Sequence, residues 1–385
     1  MKEHFLLNPD VTYLNHGSFG ATPKPVFEAY QGFQRLLEAE PLQFITKTGV
    51  DLLETSKKAL AKYVHCDPLD LVYTTNPSTA LNIFIRSLGL KEGDEILSTD
   101  QEYGALDRTW NYYCKKWGST YVRQPIPLPL ESKEQFLTAF WKGLTKNTKV
   151  VFLSEITSAT ALIFPVKEIC EKARELGLIT IIDGAHVPAH IPLNITEMNP
   201  DVYAGACHKW MMAPKGSSFL YVKKELQPTV GPLIVSWGYE ADKPSSSQFQ
   251  DYHQYQGTRD FSAFLTSPTC LAFMKKHDWL SKTNGCKEVV RHYYPIIAKQ
   301  LNSAPICKLS PEFLGQICSI PIQTKDPVGL KELLYEKYHI EIPVFEHTKS
   351  AIYLRLSFQP YNDEKEIEIL LNALSAIQKT TNLLE

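Results

Sequence analysis

Two stretches of the sequence decide the fold, Ile181-Ile182-Asp183-Gly184-Ala185-His186 and Ala206-Cys207-His208-Lys209-Trp210. The first places Asp183 directly after a buried apolar strand, at the carboxyl end where α/β sheets bind ligands. Because an unpaired buried carboxylate is costly, we expect a cationic partner beside it. The second stretch surrounds Lys209 with apolar residues. Desolvation lowers the pKa of a lysine and makes it a nucleophile for carbonyl groups.

Short apolar strands alternate with amphipathic helices on both sides of these stretches. The predicted strands are Leu71–Thr74, Glu95–Ser98, 149–153, Leu178–Ile182, a strand around Tyr203, and Phe219–Val222. The predicted helices are 26–39, Val50–Val64, Gly104–Trp117 and Lys167–Leu176. This alternation indicates a largely parallel sheet that is covered on both faces.

The pattern changes after residue 260. A long helical stretch is predicted over 262–302, and a final helix from Glu364 to Leu383. Between them, strands near 317–322 and 351–357 flank a helix near 328–338, which is typical of a smaller α+β domain. The segment 227–257 is rich in proline, serine and aromatic residues, so we predict a loop there.

Composition excludes several classes of protein. With 40 Lys plus Arg against 42 Asp plus Glu, the chain is neither a broadly basic nucleic-acid binder nor an acidic tail protein. The eight cysteines form no CxxC pair, which argues against a zinc ribbon and favours reduced thiols. We expect no signal peptide and no membrane span, and we predict a cytoplasmic location.

Two further segments carry polar groups at predicted element ends. Thr74-Thr75-Asn76-Pro77-Ser78-Thr79-Ala80 gathers hydroxyls and backbone amides where a strand meets a helix, which is typical of an anion site. Arg355 ends a strand and offers a two-pronged donor for a carboxylate. Each segment also has an ordinary interpretation. The first is a simple helix cap, and Arg355 forms a salt bridge to Asp363 or Glu364.

Together these segments resemble the class V aminotransferase family, fold-type I enzymes that use pyridoxal 5'-phosphate. The resemblance extends from Tyr13 to Tyr361 and includes the ending Arg355-Leu356-Ser357-Phe358-Gln359-Pro360-Tyr361-Asn362. The stretches Tyr13-Leu14-Asn15-His16-Gly17-Ser18-Phe19-Gly20 and Gly257-Thr258-Arg259-Asp260 resemble the isopenicillin N epimerase-like branch. The resemblance implies the aspartate aminotransferase-like fold, with a mostly parallel seven-stranded sheet. The implied parts are an amino-terminal segment (1–25) lining the site, a large cofactor domain (26–260) and a small α+β domain (261–385).

The resemblance also implies a role for each matching residue. Lys209 would form the Schiff base and move the Cα proton, Asp183 would pair with the pyridine nitrogen, and His186 would lie near the ring hydroxyl. The other implied cofactor contacts are Ser158 near that hydroxyl, Tyr103 on the ring, and Ser78, Thr79, His208 and a second subunit's Thr258 at the phosphate. Arg355 would bind the substrate carboxylate, and Asn15, His16 and Gly17 would line the entrance. The role of Thr258 implies a homodimer.

The reaction type is left open by the sequence. Loss of the Cα proton leads to epimerisation, to transamination, or to loss of a β- or γ-substituent, depending on a second acid–base group. His16 is a candidate for that group, and the alternative for His16 is a hydrogen bond that structures its loop. The preferred interpretation is an epimerase acting on an amino acid or an amino-acid-bearing small molecule. Cysteine desulfurases carry a mobile cysteine before the matching arginine, whereas residues 319–354 contain none, so persulfide chemistry is not expected.

Two interpretations of other classes stand beside this one. His186 and His190 are spaced for one helix face and could bind a metal, although Pro188 lies between them and no third ligand is evident. The chain could also be a non-catalytic relative that retains only the fold. The retained Lys209, Asp183 and Arg355 argue against that, so an enzyme without a metal is the prediction.

Overall fold

The computed structural model describes residues 1–348 and 351–384. Within them it has twelve strands: β1 (Thr12–Tyr13), β2 (Leu71–Thr74), β3 (Glu95–Thr99), β4 (Thr120–Gln124), β5 (Thr148–Ser154), β6 (Ile179–Gly184), β7 (Val202–Ala206), β8 (Ser218–Val222), β9 (Ile317–Ile322), β10 (Ile340–Glu341), β11 (Val344–Thr348) and β12 (Ala351–Ser357).

The α-helices of the same residues are α1 (His16–Phe19), α2 (Lys24–Ala39), α3 (Pro41–Gln43), α4 (Gly49–Val64), α5 (Pro77–Ile85), α6 (Gly104–Trp117), α7 (Lys133–Phe140), α8 (Val166–Glu175), α9 (Ile195–Met198), α10 (Gln248–Gln254), α11 (Ser267–Lys276), α12 (Trp279–Gln300), α13 (Pro327–Tyr338) and α14 (Glu364–Thr380). Short 3-10 turns cover Lys2–His4, Pro68–Asp70, Trp141–Gly143, Lys224–Thr229 and Phe264–Thr266, and a π-helical turn covers Phe44–Thr48.

The main sheet has seven strands in the order β2-β8-β7-β6-β5-β3-β4. Strands β4, β3, β5, β6 and β7 pair in parallel, and β8 is antiparallel to both of its neighbours. All strands except β8 therefore point the same way, and their carboxyl ends meet at one edge. The predicted mostly parallel, seven-stranded sheet is confirmed.

Apolar side chains cover both faces of this sheet, as the continuous apolar strands predict. On β6, Ile181 packs in one buried cluster with Trp110, while the next residue, Ile182, packs in the other. On β7, Val202 and Tyr203 divide between the same two clusters. The central strands are therefore packed on both faces. This packing holds the residues at the ends of the strands in place.

A second sheet lies in the carboxyl-terminal part, where β11, β12 and β9 pair antiparallel. The amino-terminal segment joins this part: β1 pairs in parallel with β10, and the N–H of Ser357 donates to the carbonyl of Leu14 at 2.9 Å. These contacts place α1 beside β12, the strand that carries Arg355. The division into 1–25, 26–260 and 261–385 stays a prediction.

Several elements differ from the sequence prediction. The edge strand β4 was not expected, because its half-exposed side chains form no apolar run. The helical stretch 262–302 is interrupted at His277 and Asp278, the latter in a left-handed conformation with φ 46°. Helix α10 lies inside the segment predicted as a loop, and Ser247 caps it by accepting the N–H of Gln250. Helix α14 ends at Thr380, before the predicted Leu383.

No helix among the described residues combines the length and the apolar character that a membrane span requires.

Candidate active site

A cavity of about 450 Å³ lies where the carboxyl ends of the parallel strands meet, between the main sheet, α1 and β12. Polar and charged side chains from each of these elements line it. The lining residues are Gly17, Ser18, Phe19, Asn76, Pro77, Ser78, Tyr103, Ser154, Ile156, Ser158, Asp183, Ala185, His186, His208, Lys209 and Arg355. The sequence predicted a ligand site at the carboxyl ends of the strands, and this edge of the sheet does form a cavity lined by charged residues.

The amine of Lys209 is the candidate nucleophile of this cavity. Lys209 follows β7, and its Nζ lies 3.1 Å from Nε2 of His186. The pKa of Lys209 is lowered to about 8, mainly by burial and also by the positive charge of Arg355, while the charge of Asp183 acts in the opposite direction. A much larger fraction of this amine is neutral at neutral pH than in an exposed lysine.

Asp183 is buried at the end of β6, with only 3% of its surface exposed. Its Oδ1 accepts the N–H of Ala185 at 3.0 Å. Burial raises the pKa of Asp183, against the effects of that hydrogen bond and of the Lys209 charge. None of the ion pairs formed by the described residues includes Asp183. The cationic partner expected from the sequence is not a side chain, which leaves room for a protonated ring nitrogen.

Arg355 lies in the cavity wall with 6% of its surface exposed. Its Nη1 donates to the carbonyl of Ser158 at 2.7 Å, and its Nη2 donates to the hydroxyl of Ser18 at 2.9 Å. The salt bridge to Asp363 or Glu364 is wrong: Asp363 caps α14, and Glu364 accepts the hydroxyl of Tyr293. A buried guanidinium with neutral partners in the described structure is a ready site for a carboxylate.

Ser78 and His208 also line the cavity. Ser78 lies in the first turn of α5, where Asn76 caps the helix by accepting the N–H of Thr79 at 2.8 Å. His208 donates from Nδ1 to the carbonyl of Ser217 at 2.8 Å, and burial lowers the pKa of His208 to about 4. The partial positive charge of the helix terminus favours an anion at the start of α5.

His186 lies between Lys209 and Trp210. Its Nδ1 accepts the indole N–H of Trp210 at 3.2 Å. Burial lowers the pKa of His186 well below its ordinary value, and the charges of Lys209 and Arg355 lower it further. The ring is therefore neutral at physiological pH.

The metal interpretation has no support in this geometry. His190 donates from Nδ1 to the carbonyl of His186, and its Nε2 accepts the N–H of Gln316 at 2.7 Å, so both ring nitrogens have protein partners. Across residues 1–348 and 351–384, no group of three His, Cys, Asp or Glu side chains could bind a metal.

Most residues predicted for the site line the cavity, and four do not. Asn15, His16, Thr79 and Thr258 lie outside its wall. Thr79 faces the Asn76 cap and the Thr75 hydroxyl instead, and Thr258 is exposed. His16, the candidate second acid–base group, is fully buried behind the wall and bonded to Tyr361 and to the carbonyl of Lys209.

Sequence reasoning missed several groups around the cavity. Ser154 ends β5 directly beside Asp183 in the parallel register, and its place after an apolar strand was an available signal. The carboxylate of Glu102 lies behind it and accepts the N–H and hydroxyl of Ser154 and the hydroxyl of Thr99. Burial raises the pKa of Glu102 to about 8. Ser18, which orients Arg355, could not be found without the pairing of β1 with β10.

Comparison with known families agrees with this geometry. The sequence model of the family described as aminotransferase class-V matches residues 12–370, nearly the whole chain. The chain belongs to the class V aminotransferase family. It is accordingly a pyridoxal 5'-phosphate enzyme, and the cofactor fits the cavity: a reactive amine, a buried acid without a cationic side-chain partner and a helix amino terminus are all present.

Individual relatives of this class V enzyme have different reactions. Isopenicillin N epimerase of Streptomyces clavuligerus is 31% identical over 97% of this chain and 96% of its own length. L-cysteine desulfhydrase of Arabidopsis thaliana is 25% identical over 96% of this chain and 88% of its own. The apo structure of a cysteine desulfurase from Thermococcus onnurineus NA1 superposes with a TM-score of 0.84 at 20% identity, covering 98% of this chain and 97% of that chain.

Proposed function

We propose that this enzyme removes the proton at the Cα of an amino acid, or of a small molecule that carries a free amino-acid group, and that a proton added to the opposite face then inverts that centre. The observation that carries the proposal is the pairing, in one cavity, of the Lys209 amine with a buried Arg355 that has no carboxylate partner among the described residues. The 31% identity to an epimerase supports inversion over the other outcomes.

Three residues of the cavity have separate roles in this proposal. When bound, pyridoxal 5'-phosphate supplies an electron sink for negative charge at the Cα. Arg355 binds the substrate carboxylate through its two-pronged donor. Lys209 takes the Cα proton at its Nζ, and inversion requires that a proton is then added to the opposite face of the Cα. Asp183 holds a proton on the ring nitrogen of the cofactor, because a buried carboxylate stabilises an adjacent positive charge.

The other predicted residues that line the cavity would contact the cofactor or the substrate. Ser78 and His208 would bind the cofactor phosphate, Tyr103 would contact the ring, His186 and Ser158 would hold the ring hydroxyl, and Gly17 would line the entrance. Thr258 acts across a homodimer, which is consistent with its accessible position in a single chain. All eight cysteines are free thiols, which agrees with the proposed cytoplasmic location.

A second candidate is elimination, favoured by the likeness to L-cysteine desulfhydrase. Elimination shares the loss of the Cα proton with epimerisation and differs only in the next step, the departure of a substituent. Release of sulfide from cysteine without a mobile cysteine would suit a chain whose residues 319–354 contain none.

Exchange of the Cα proton for deuterium separates these candidates. Purified enzyme is incubated in D₂O with a panel of L- and D-amino acids and amino-acid-bearing peptides, and NMR follows the Cα signal. Inversion with retained substrate supports the epimerase, whereas released sulfide or keto acid supports elimination or transamination. Lys209→Ala is the control. Absence of exchange across the panel, in protein that is yellow with cofactor, would contradict the proposed substrate class.

A further inference from the structure

We propose that Trp210 fixes the tautomer of His186, so that the imidazole presents its Nε2–H to the amine of Lys209. Trp210 directly follows Lys209, yet its indole N–H points back to Nδ1 of His186 at 3.2 Å. The other ring nitrogen, Nε2, lies 3.1 Å from the Nζ of Lys209. Trp210 does not line the cavity, so it acts as a positioning residue through His186.

The chemistry of the indole determines which atoms donate and which accept in the contacts of His186 with Trp210 and Lys209. Its N–H can only donate, so Nδ1 of His186 must be an acceptor without a proton. The ring is neutral, because burial and the nearby charges of Lys209 and Arg355 disfavour the imidazolium. A neutral imidazole carries one proton, which is therefore on Nε2.

The indole is itself held by a second histidine. His190 stacks on Trp210 with ring centroids 4.0 Å apart and planes inclined by 28°. The tautomer of His190 is also determined, because the carbonyl of His186 requires Nδ1–H and the N–H of Gln316 requires a bare Nε2. A Cβ at Gly315 would lie 2.1 Å from that nitrogen, so this approach requires glycine.

The tautomer matters for the state of Lys209. An Nε2–H donor needs a lone pair on Nζ, which only the neutral amine has. The other tautomer would present an acceptor and favour the ammonium. Trp210 thereby stabilises the nucleophilic form of Lys209. This role of Trp210 is the same for every reaction that begins with loss of the Cα proton.

Trp210→Phe tests the inference, and Trp110→Phe is the matched control. Trp110 is equally buried, and its indole nitrogen has no hydrogen-bond partner in the described structure. The first readout is the ¹⁵N NMR spectrum of histidine-labelled protein, with and without cofactor, with His186→Gln assigning the ring signals. At about pH 9, where the Lys209 amine with its pKa of about 8 is mostly neutral, we expect a protonated Nε2 and a bare Nδ1 in wild type and in Trp110→Phe, and a mixture of tautomers in Trp210→Phe.

A second readout is the rate at which cofactor-free protein develops the yellow band with added pyridoxal 5'-phosphate at pH 7. Loss of one net hydrogen bond predicts a rate about fivefold lower for Trp210→Phe, and no change for Trp110→Phe. If Trp210→Phe does not fold, benzothienylalanine at position 210 keeps the shape and the stacking but lacks the N–H, and it must show the same mixture. Unchanged His186 ring shifts in either replacement would overturn the inference.

Discussion

The imidazole of His16 joins the amino-terminal segment to the backbone of Lys209, with Nε2 lying 3.1 Å from the Lys209 carbonyl oxygen. Its Nδ1 accepts the hydroxyl of Tyr361 at 2.9 Å and the N–H of Ala21 at 3.3 Å. Both ring nitrogens are therefore occupied, and the residue has 0% of its surface exposed. His16 holds the loop that follows β7 rather than contacting the cavity.

The first prediction is an acid dependence of stability that originates at His16. Burial lowers the pKa of His16 to about 3 in the folded protein, whereas an unfolded histidine titrates near about 6.5. As pH falls from about 6.5 to about 3, the unfolded chain takes up a proton that the folded chain does not, so stability falls with falling pH. His16→Gln should reduce the slope of unfolding free energy against pH by about 1.4 kcal/mol per pH unit.

Urea unfolding at several pH values from about 4.5 to about 6, between the two titration points, measures that slope. His292→Gln is the control, because His292 is an exposed residue of α12 whose ring packs edge-on against its neighbour Tyr293. A slope in His16→Gln equal to that of wild type would refute the assignment.

The second prediction concerns the pH at which the enzyme takes up its cofactor. With a pKa of about 8, roughly one Lys209 amine in ten is neutral at pH 7, against about one in 3,000 for an amine at 10.5. Formation of the yellow band should accelerate as pH rises towards about 8 and then level off. The pH at which the rate reaches half of its plateau is the midpoint of this dependence. Arg355→Gln removes a positive charge that lowers the pKa of Lys209, so the midpoint should move to higher pH. A midpoint unchanged by that substitution would contradict the charge coupling.

A third prediction compares two glycines, one with no space for a Cβ and one with open space around it. Gly20 has φ +67°, and a Cβ there would lie 2.5 Å from the carbonyl oxygen of His208 and 2.6 Å from that of Lys209. Gly20→Ala should therefore displace the lysine loop and lower both stability and cofactor occupancy. Gly32 lies within α2 with nothing within 4 Å of its Cβ position, so Gly32→Ala should raise stability by about 0.5–1 kcal/mol.

Thermal unfolding and the absorbance of the bound cofactor measure both substitutions. Normal occupancy in Gly20→Ala would show that the loop tolerates the extra methyl group.

The sequence was sufficient to predict the inner strands of the main sheet, although not its edge strand β4, and to place Asp183 and Lys209 at the ends of those strands. Apolar runs marked β6 and β7, and parallel pairing of these strands brings Asp183 and Lys209 to one end of the sheet. The sequence could not reveal the contacts of Arg355, because they depend on the pairing of β1 with β10 across more than three hundred residues and on a 2.9 Å bond to Ser18. Two-residue strands leave no periodic pattern to detect.

The sequence also could not predict which individual side chains face the cavity. His16 and Gly17 are adjacent, but only Gly17 faces the cavity, because α1 turns successive side chains to different sides. The same applies to Trp210, which looked like an apolar neighbour of Lys209 and proves to be a hydrogen-bond donor to His186. Donor geometry depends on tertiary packing, here on the stack with His190.

A fourth prediction separates the charge of Arg355 from its geometry. Arg355→Lys keeps a positive charge but loses the planar two-pronged donor. For substrates with an α-carboxylate, kcat/KM should fall about 10- to 100-fold, the cost of a charge-assisted hydrogen bond. Primary amines that lack the carboxylate should react with the bound cofactor at similar rates in both proteins. An equal loss for both kinds of compound would assign Arg355 a structural role instead.

The fifth prediction tests whether Thr258 acts across a homodimer. Lys209→Ala abolishes the reactive amine, and Thr258→Val removes a hydroxyl proposed to contact the phosphate in the other subunit. When the two variants are mixed and exchanged, the hybrid dimer contains one site with an intact Lys209 from one chain and an intact Thr258 from the other. Cofactor affinity at that site should return to the wild-type value, whereas Thr258→Val alone should bind less tightly by about fivefold, as for one hydrogen bond. If Thr258 served the cavity of its own chain, every Lys209-bearing site in the mixture would keep the weakened affinity, and titration of the hybrid with pyridoxal 5'-phosphate distinguishes the two arrangements.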